Sequence, residues 1–415
     1  MTRATLDNSY RSQQSESVLI DGSNSANWVE TTGTGVTKAT DSSITWDGAN
    51  STRFSIPGTT SGTVNIGTST SLVTVPYWNG SIEHQRLGVI FQCSDISRLT
   101  AVSLLIGDSG FTNYYQGSTF TFGWQNNEWI AATKGTPTWT ANGSPTWYGS
   151  KRIRIALSIA AGSDMTINVA KVVLAPRARP AIVFSIDDGY AECLTFLDVE
   201  FTARGIPCSY SIDPYYIDTP GYLTSAQLDS LIASPFADIN NHGYLNQKYL
   251  TDISKFAYLQ NAIYTRDWLR ARGVGQGALY HVFVGGGFDG PLLRAFDEAG
   301  FLFGRNTNTP RYQHPYWDAN YSINRMNVQL LGGLDNTLTL AQAKALVDQV
   351  ETAGEVGFFN GHKFAAAAGT LQWAFTDMTD LLDYIVAKAK QGRMDVLCVS
   401  DYVRGILTGG RRVRR

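Results

Sequence analysis

The chain changes its pattern at Ala175-Pro176-Arg177-Ala178-Arg179-Pro180, and that change constrains the fold more than any single motif does. Two prolines punctuate the end of a strand there, which marks a domain boundary. Ahead of it, short runs such as STRFSI, GTVNIG, RLGVIFQC, AVSLLIG, RIRIALSI and MTINVAKVVLA alternate apolar and polar residues between turn signals. Alternation of period two in β-branched and aromatic residues means half-buried strands, and many of them in series predict a β-sandwich or jelly roll. The first 100 residues hold 32 serines and threonines, with few charges among them. Behind the break, strands alternate with amphipathic helices: AIVFSI, then a helical stretch around Ala191 to Arg204, then CSYSI and the helix SAQLDSLIAS. DINN leads into a long helix near Asp252 to Arg272, and the alternation continues to a last strand, DVLCVS. Repeated βα units predict a parallel sheet with helices outside, open or closed into a barrel, and place chemistry at the C-terminal ends of the strands.

The expected organisation is a flexible leader over residues 1–18, a β-sandwich over 19–176, a βα domain over 177–408 and a basic tail over 409–415. A chain of 415 residues with 43% hydrophobic and 12% aromatic side chains has material for two cores. Its formal net charge of −2 supplies no field to gather DNA or RNA, so no nucleic-acid partner is expected. No apolar run approaches a membrane span, and the polar N-terminus shows no secretory signal. Cys93, Cys193, Cys208 and Cys398 lie far apart without a CxxC pair, which predicts buried free thiols rather than a zinc ribbon or a disulfide framework.

The strand-end rule yields a short list: Asp187-Asp188-Gly189-Tyr190, Asn240-Asn241-His242-Gly243-Tyr244, Gly285-Gly286-Gly287-Phe288-Asp289 and Asn360-Gly361-His362-Lys363. Adjacent carboxylates after an apolar strand are costly unless paired or bound to a cation. A divalent metal resolves the cost by taking one carboxylate as a ligand while its neighbour accepts a proton. The plainer alternative is that one of the two aspartates caps the following helix. Of the five histidines, His242 and His362 occupy strand ends and are the functional candidates. His281 lies within a strand and reads as structural, as does His84 in the β half, and His314 stays open.

The motif FSIDDGY, then His242-Gly-Tyr-Leu-Asn246, a Gly-rich turn and the late His362 resemble the polysaccharide deacetylase superfamily, carbohydrate esterase family four, over residues 180 to 405. The resemblance implies an irregular (β/α) barrel and a divalent metal cofactor, zinc by expectation. It implies Asp187 as the catalytic base, Asp188 and His242 as metal ligands, and His362 as the general acid. The family's second histidine is replaced by Asn246, which makes an amide oxygen, or a water beside it, the expected third ligand, and an amide is weaker for zinc than imidazole. The family's proline- and tyrosine-bearing turn is replaced by Phe-Val-Gly-Gly-Gly, so the N–H groups of Gly286 or Gly287 become the oxyanion donors, with Tyr190 on the substrate side. The family's Asp and Trp motif that orients the acid is not found.

A β-sandwich ahead of such a barrel commonly binds carbohydrate, and Trp78, Trp124, Trp129, Trp139 and Trp147 are candidate stacking rings, against the plainer reading that they fill the core. The whole arrangement resembles bacteriophage tail proteins. The expectation is a virion tail spike or fibre, or otherwise an extracellular protein, that deacetylates a bacterial surface polysaccharide. Phage tail or baseplate proteins are the corresponding partners, and a homotrimer is the assembly such proteins often form, although no heptads are present. Two alternatives stand beside it: a secreted bacterial deacetylase, and a non-catalytic glycan-binding adhesin whose barrel has lost its metal.

Overall fold

The computed structural model describes residues 17–29, 35–46, 48–73, 86–120, 126–127, 129–134, 139–146, 150–175, 179–249, 251–307, 326 and 328–410. The chain divides into two compact units, Gln14–Arg177 and Ala178–Arg415. His84, His314, Trp78, Trp124 and Trp147 lie outside the described residues, as do residues 1–16 of the leader and 411–415 of the tail.

The first unit contains two six-stranded antiparallel sheets. Thr37–Trp46, Ala49–Ile56, Met165–Ala175, Arg86–Cys93 and Trp129–Lys134 follow one another in the first, with Ser17–Asp21 also paired to Met165–Ala175. Thr140–Asn142, Tyr114–Phe120, Leu99–Gly107, Arg152–Ile159, Gly62–Ser69 and Trp28–Val29 make the second. Period two decides which side chains meet: Ile153, Ile155, Leu157 and Ile159 of the second sheet join Phe54, Val89, Phe91, Ile167 and Val169 of the first in one apolar cluster. Arg98, 3% exposed, ties the loops together, donating to the carbonyls of Pro57, Thr60, Ala160 and Ser163. Of the candidate stacking rings, Trp139 packs against the core, and Trp129 meets Trp46 edge to face at 5.4 Å.

In the second unit, eight strands form one sheet whose pairings are all parallel. The order runs Phe303–Arg305, Tyr280–Val282, Ala237–Asn241, Cys208–Ile212, Ala181–Ile186, Val356–Gly361 and Gly332–Leu334, with Asp395–Leu397 also against Ala181–Ile186. Every residue of Ala181–Ile186, Cys208–Ile212 and Val356–Gly361 is buried, as expected of strands covered on both faces. One stretch links the two edges of the sheet: Val328 exchanges backbone hydrogen bonds with Gly304 and Asn306, while Leu331 bonds Phe358 and Gly332 pairs with Phe359. The sheet is thus a curled parallel one, closed through an irregular segment rather than through two paired edge strands.

The helices begin where capping chemistry allows. Thr224 with Gln227 and Thr339 with Gln342 form reciprocal capping boxes ahead of Ser225–Ala233 and Leu340–Ala353. The end of the chain departs from the alternation: DVLCVS is a strand only to Leu397, and Val399 starts a helix, Val399–Gly410. Asp238 sets that turn by accepting from the N–H and hydroxyl of Ser400, while Ser209 Oγ accepts from the N–H of Val399. Orphan N–H groups in a helix's first turn are met here by side chains distant in sequence, which no local pattern announces. All four cysteines are free and buried, and among the described residues no helix is long and apolar enough to cross a membrane.

Candidate active site

Strand register assembles the site. Ile186 pairs with Tyr210, and Ile212 with Asn241, so the strand ends beside Asp188, Asp213 and His242 lie next to one another across the sheet. The N–H of His242 donates to the carbonyl of Ile212 and extends that ladder past the strands. One ligand-capable atom each from Asp188, Asp213 and His242 lies within 4.8 Å of the others, and all three residues are buried. Neither aspartate of the motif caps the next helix, because Cys193–Asp198 begins after Glu192. Asp188 takes φ 72°, the left-handed region, at a cost of about 1 kcal/mol for a residue with a Cβ. Strain of this kind persists where the surroundings hold a side chain in place.

His242 donates from Nδ1 to the Val282 carbonyl at 2.9 Å, which leaves Nε2 facing Asp188 Oδ1 at 3.3 Å. That backbone bond fixes the tautomer a metal-binding imidazole needs. Burial alone pushes the imidazole down, but the charges of Asp213, Asp188 and Asp187 outweigh it and push His242 up to about 10. Burial pushes the Asp188 carboxyl up, yet the His242 hydrogen bond, the His242 and His362 charges and the Asn246 amide together hold it below the ordinary value. For Asp213 burial wins, and its carboxyl is held well above the ordinary range, with the neighbouring Asp188 and Asp187 charges adding to the shift.

Asp213, at the end of the strand Cys208–Ile212, supplies the second carboxylate and completes the set of three ligand-capable groups. Asn246 stands at the cluster but turns its amide nitrogen to it, donating to Asp188 Oδ1 at 2.8 Å and Asp213 Oδ2 at 3.3 Å. So placed, the Asn246 amide nitrogen orients the carboxylates, and the Asp213 carboxylate stands as a further candidate for the third ligand expected of Asn246. A divalent cation fits the donor set: Asp213 Oδ1 is buried with no hydrogen-bond donor among the described residues, and Asp188, Asp213 and His242 together offer two carboxylates and one imidazole.

Beside the cluster, the Arg305 guanidinium grips Asp187 Oδ1 with both groups fully buried, and Asn360 Nδ2 lies 3.5 Å from Asp187 Oδ2. His362, about one-fifth exposed, places Nε2 at 3.8 Å from that same oxygen. Arg305 was not assigned a role by the motifs, because an arginine ending a three-residue strand carries no local signature. Burial, the hydrogen bond with the Tyr222 hydroxyl and the nearby Asp188 charge raise the Tyr190 hydroxyl well above the ordinary value. His281 serves the fold, bonded to Asn241 Oδ1 and the Tyr258 hydroxyl at 3.1 Å each.

The glycine turn differs from its expected role. Gly286 at φ 72° admits no side chain, since a Cβ there meets Thr307 Oγ1 at 2.0 Å. Its N–H already donates to the Phe283 carbonyl at 2.8 Å and is not offered to an oxyanion. Gly287, at φ −71°, lies close to the backbone of Tyr249, whose carbonyl a Cβ there would meet at 3.0 Å.

No family model matches the chain, and no curated protein does. Among solved structures the chain is similar to a Streptococcus pyogenes deacetylase in complex with acetate, at 12% identity over 35% of this chain, with a TM-score of 0.31. It spans 62% of that deacetylase's length. A family 4 carbohydrate esterase from Bacillus anthracis is similar at 13% identity over 55% of this chain and 84% of its own, with a TM-score of 0.35. The family 11 carbohydrate-binding module of a Clostridium thermocellum cellulosomal cellulase is similar at 14% identity over 39% and 94%, with a TM-score of 0.27. At such identities and scores the likeness says nothing about chemistry, which rests on the side chains described above.

Proposed function

We propose that the protein is a metal-dependent deacetylase acting on an acetylated bacterial surface polysaccharide. The convergence of Asp188, Asp213 and His242 beside Asp187 and His362 carries this reading. Asp188, Asp213 and His242 would hold a divalent cation, zinc by first choice, which would supply Lewis-acid polarisation of the acyl carbonyl and lower the pKa of water. The chain's own residues do the rest. Asp187, held in orientation by Arg305 and Asn360, accepts the proton of the attacking water. His362, partly open to solvent, donates a proton to the departing sugar amine or hydroxyl. Asn246 keeps the two ligand carboxylates aligned. The virion location is a separate proposal, checked by looking for the chain in purified phage particles.

Acetate release from a panel of N- and O-acetylated polysaccharides, with added zinc and then with chelator, tests the reading. Metal-dependent release with about one divalent ion per chain supports it. Release from none of them, with no metal by elemental analysis, replaces it with the glycan-binding adhesin.

A further inference from the structure

Six tyrosines from four segments meet ring to ring beside the cluster. Tyr190 stacks on Tyr222 with centroids at 4.5 Å, and Tyr222 stacks on Tyr216 at 4.9 Å. Tyr215 stands edge-on to Tyr216 at 5.3 Å and to Tyr244 at 6.0 Å, and Tyr244 meets Tyr264 at 4.6 Å. The backbone holds the array: Tyr190 and Tyr222 form a β-bridge, and the N–H of Tyr215 donates to the carbonyl of Tyr244 at 3.2 Å. At one end Tyr190 lies two residues from Asp188, with the Lys363 ammonium 4.4 Å above its ring. Near the other end, Tyr244 lies two residues from Asn246. The series therefore runs from the neighbourhood of one ligand of the cluster to that of the residue that orients its carboxylates.

Packing does not require this arrangement. Tyr215 and Tyr264 are each 53% exposed, and the other four are half-buried. Large aromatic surface left in water beside a buried polar cluster marks a binding surface. Phenols suit one chemistry in particular, because a ring accepts the apolar C–H face of a pyranose while the hydroxyl bonds to the sugar's own hydroxyls. We infer that this tyrosine array is a glycan-binding wall beside the cluster, with Tyr215 and Tyr264 as the rings that stack on sugar units flanking the acetylated one. The inference deepens the deacetylase reading and rests on it for the position of the acetylated unit. It commits the substrate to a chain of several sugars rather than a single acetylated monosaccharide.

The test separates binding from chemistry. Full-length protein is run in native gels containing glycol chitin, acetylxylan or an acetylated bacterial capsule, with chelator present throughout. Wild type is expected to be retarded by at least one glycan. Tyr215→Ala and Tyr264→Ala each weaken the dissociation constant about tenfold, and Tyr215→Phe and Tyr264→Phe restore most of the retardation. Both residues are exposed, and circular dichroism checks that the alanine variants keep the fold. With metal restored, the alanine variants raise KM for long glycans far more than they lower kcat. Unretarded wild type in every gel, or variants retarded like wild type, overturns the wall. Acetate release by wild type with unaltered KM in the variants overturns the wall and leaves the deacetylase standing. Retardation that depends on both rings, without bound metal or acetate release, keeps the wall and removes the deacetylase.

Discussion

Asp41 in the first unit and Asp213 in the second are both buried carboxylates, 6% and 0% exposed. Asp41 accepts from the hydroxyl and N–H of Ser43, the N–H of Ile44 and the Asn168 amide. The Ser43 hydroxyl leads these effects, and despite burial they pull its pKa down to about 2. Among the described residues Asp213 accepts only from Asn246 and leaves one oxygen without a donor, and burial pushes it well above the ordinary range. Arg98 repeats the lesson of Asp41, since it is buried on loop carbonyls that consume its donors. A charge buried to make a fold arrives with its partners. A charge buried with its partners missing, among other unmatched polar atoms such as Asn360 Oδ1 and Arg305 Nε, belongs to a site.

The sharpest way to break this contrast is to remove the chemistry from the second unit. Asp187→Ala and His362→Ala are expected to lower acetate release by about 10² to 10⁴, and Asp213→Ala to abolish stoichiometric metal by elemental analysis. Activity surviving Asp213→Ala at full metal occupancy ends the assignment of a third ligand. Next in size, Arg98→Ala strands several loop carbonyls and costs about 3 kcal/mol. Hydrogen exchange in Leu99–Gly107 should rise while metal binding stays unchanged. Asn246→Ala should weaken the metal about 10- to 100-fold by competition with a chromogenic chelator, the effect of removing a residue that orients ligands. Asparagine at position 246 as a direct ligand predicts a total loss instead.

The smallest effects carry the most informative sign. Asp41→Asn should destabilise by about 1–2 kcal/mol in urea at neutral pH. Because Asp41's folded pKa is depressed, its contribution is present above the ordinary carboxylate value and is lost as pH falls toward about 2. The gap between wild type and variant closes over that range. Asp213→Asn in chelator should do the opposite and stabilise by about 1 kcal/mol at neutral pH. A raised folded pKa gives stability that is present below the unfolded value and lost as pH rises, so this gain vanishes in acid. If both asparagine variants destabilise alike, the two carboxylates are not different in kind.

Much of this was legible in the order of residues. Alternation marked the strands of the first unit, and βα punctuation marked nearly all those of the second, because burial of one or both faces is written locally at period two or as an unbroken apolar run. Asp187, Asp188, His242 and His362 stood out because strand ends are where open parallel sheets place their chemistry. The helix Val399–Gly410 was hidden, since its first turn is satisfied by Ser209 and Asp238, roughly 190 and 162 residues away. Gly286 looked like a donor until its N–H proved bound to Phe283 within the same turn.

Two units of different grammar, and the residue types at the strand ends, are written in the order of residues. That Asp213 joins Asp188 and His242, that Asn246 faces them with its nitrogen, and that Arg305 holds Asp187 are products of the folded arrangement. A lone aspartate after CSYSI and an arginine after FLFG have no local signature. Their meaning comes from parallel register, which sets neighbouring strand ends about 4.8 Å apart and so turns residues dozens of positions apart into one buried cluster.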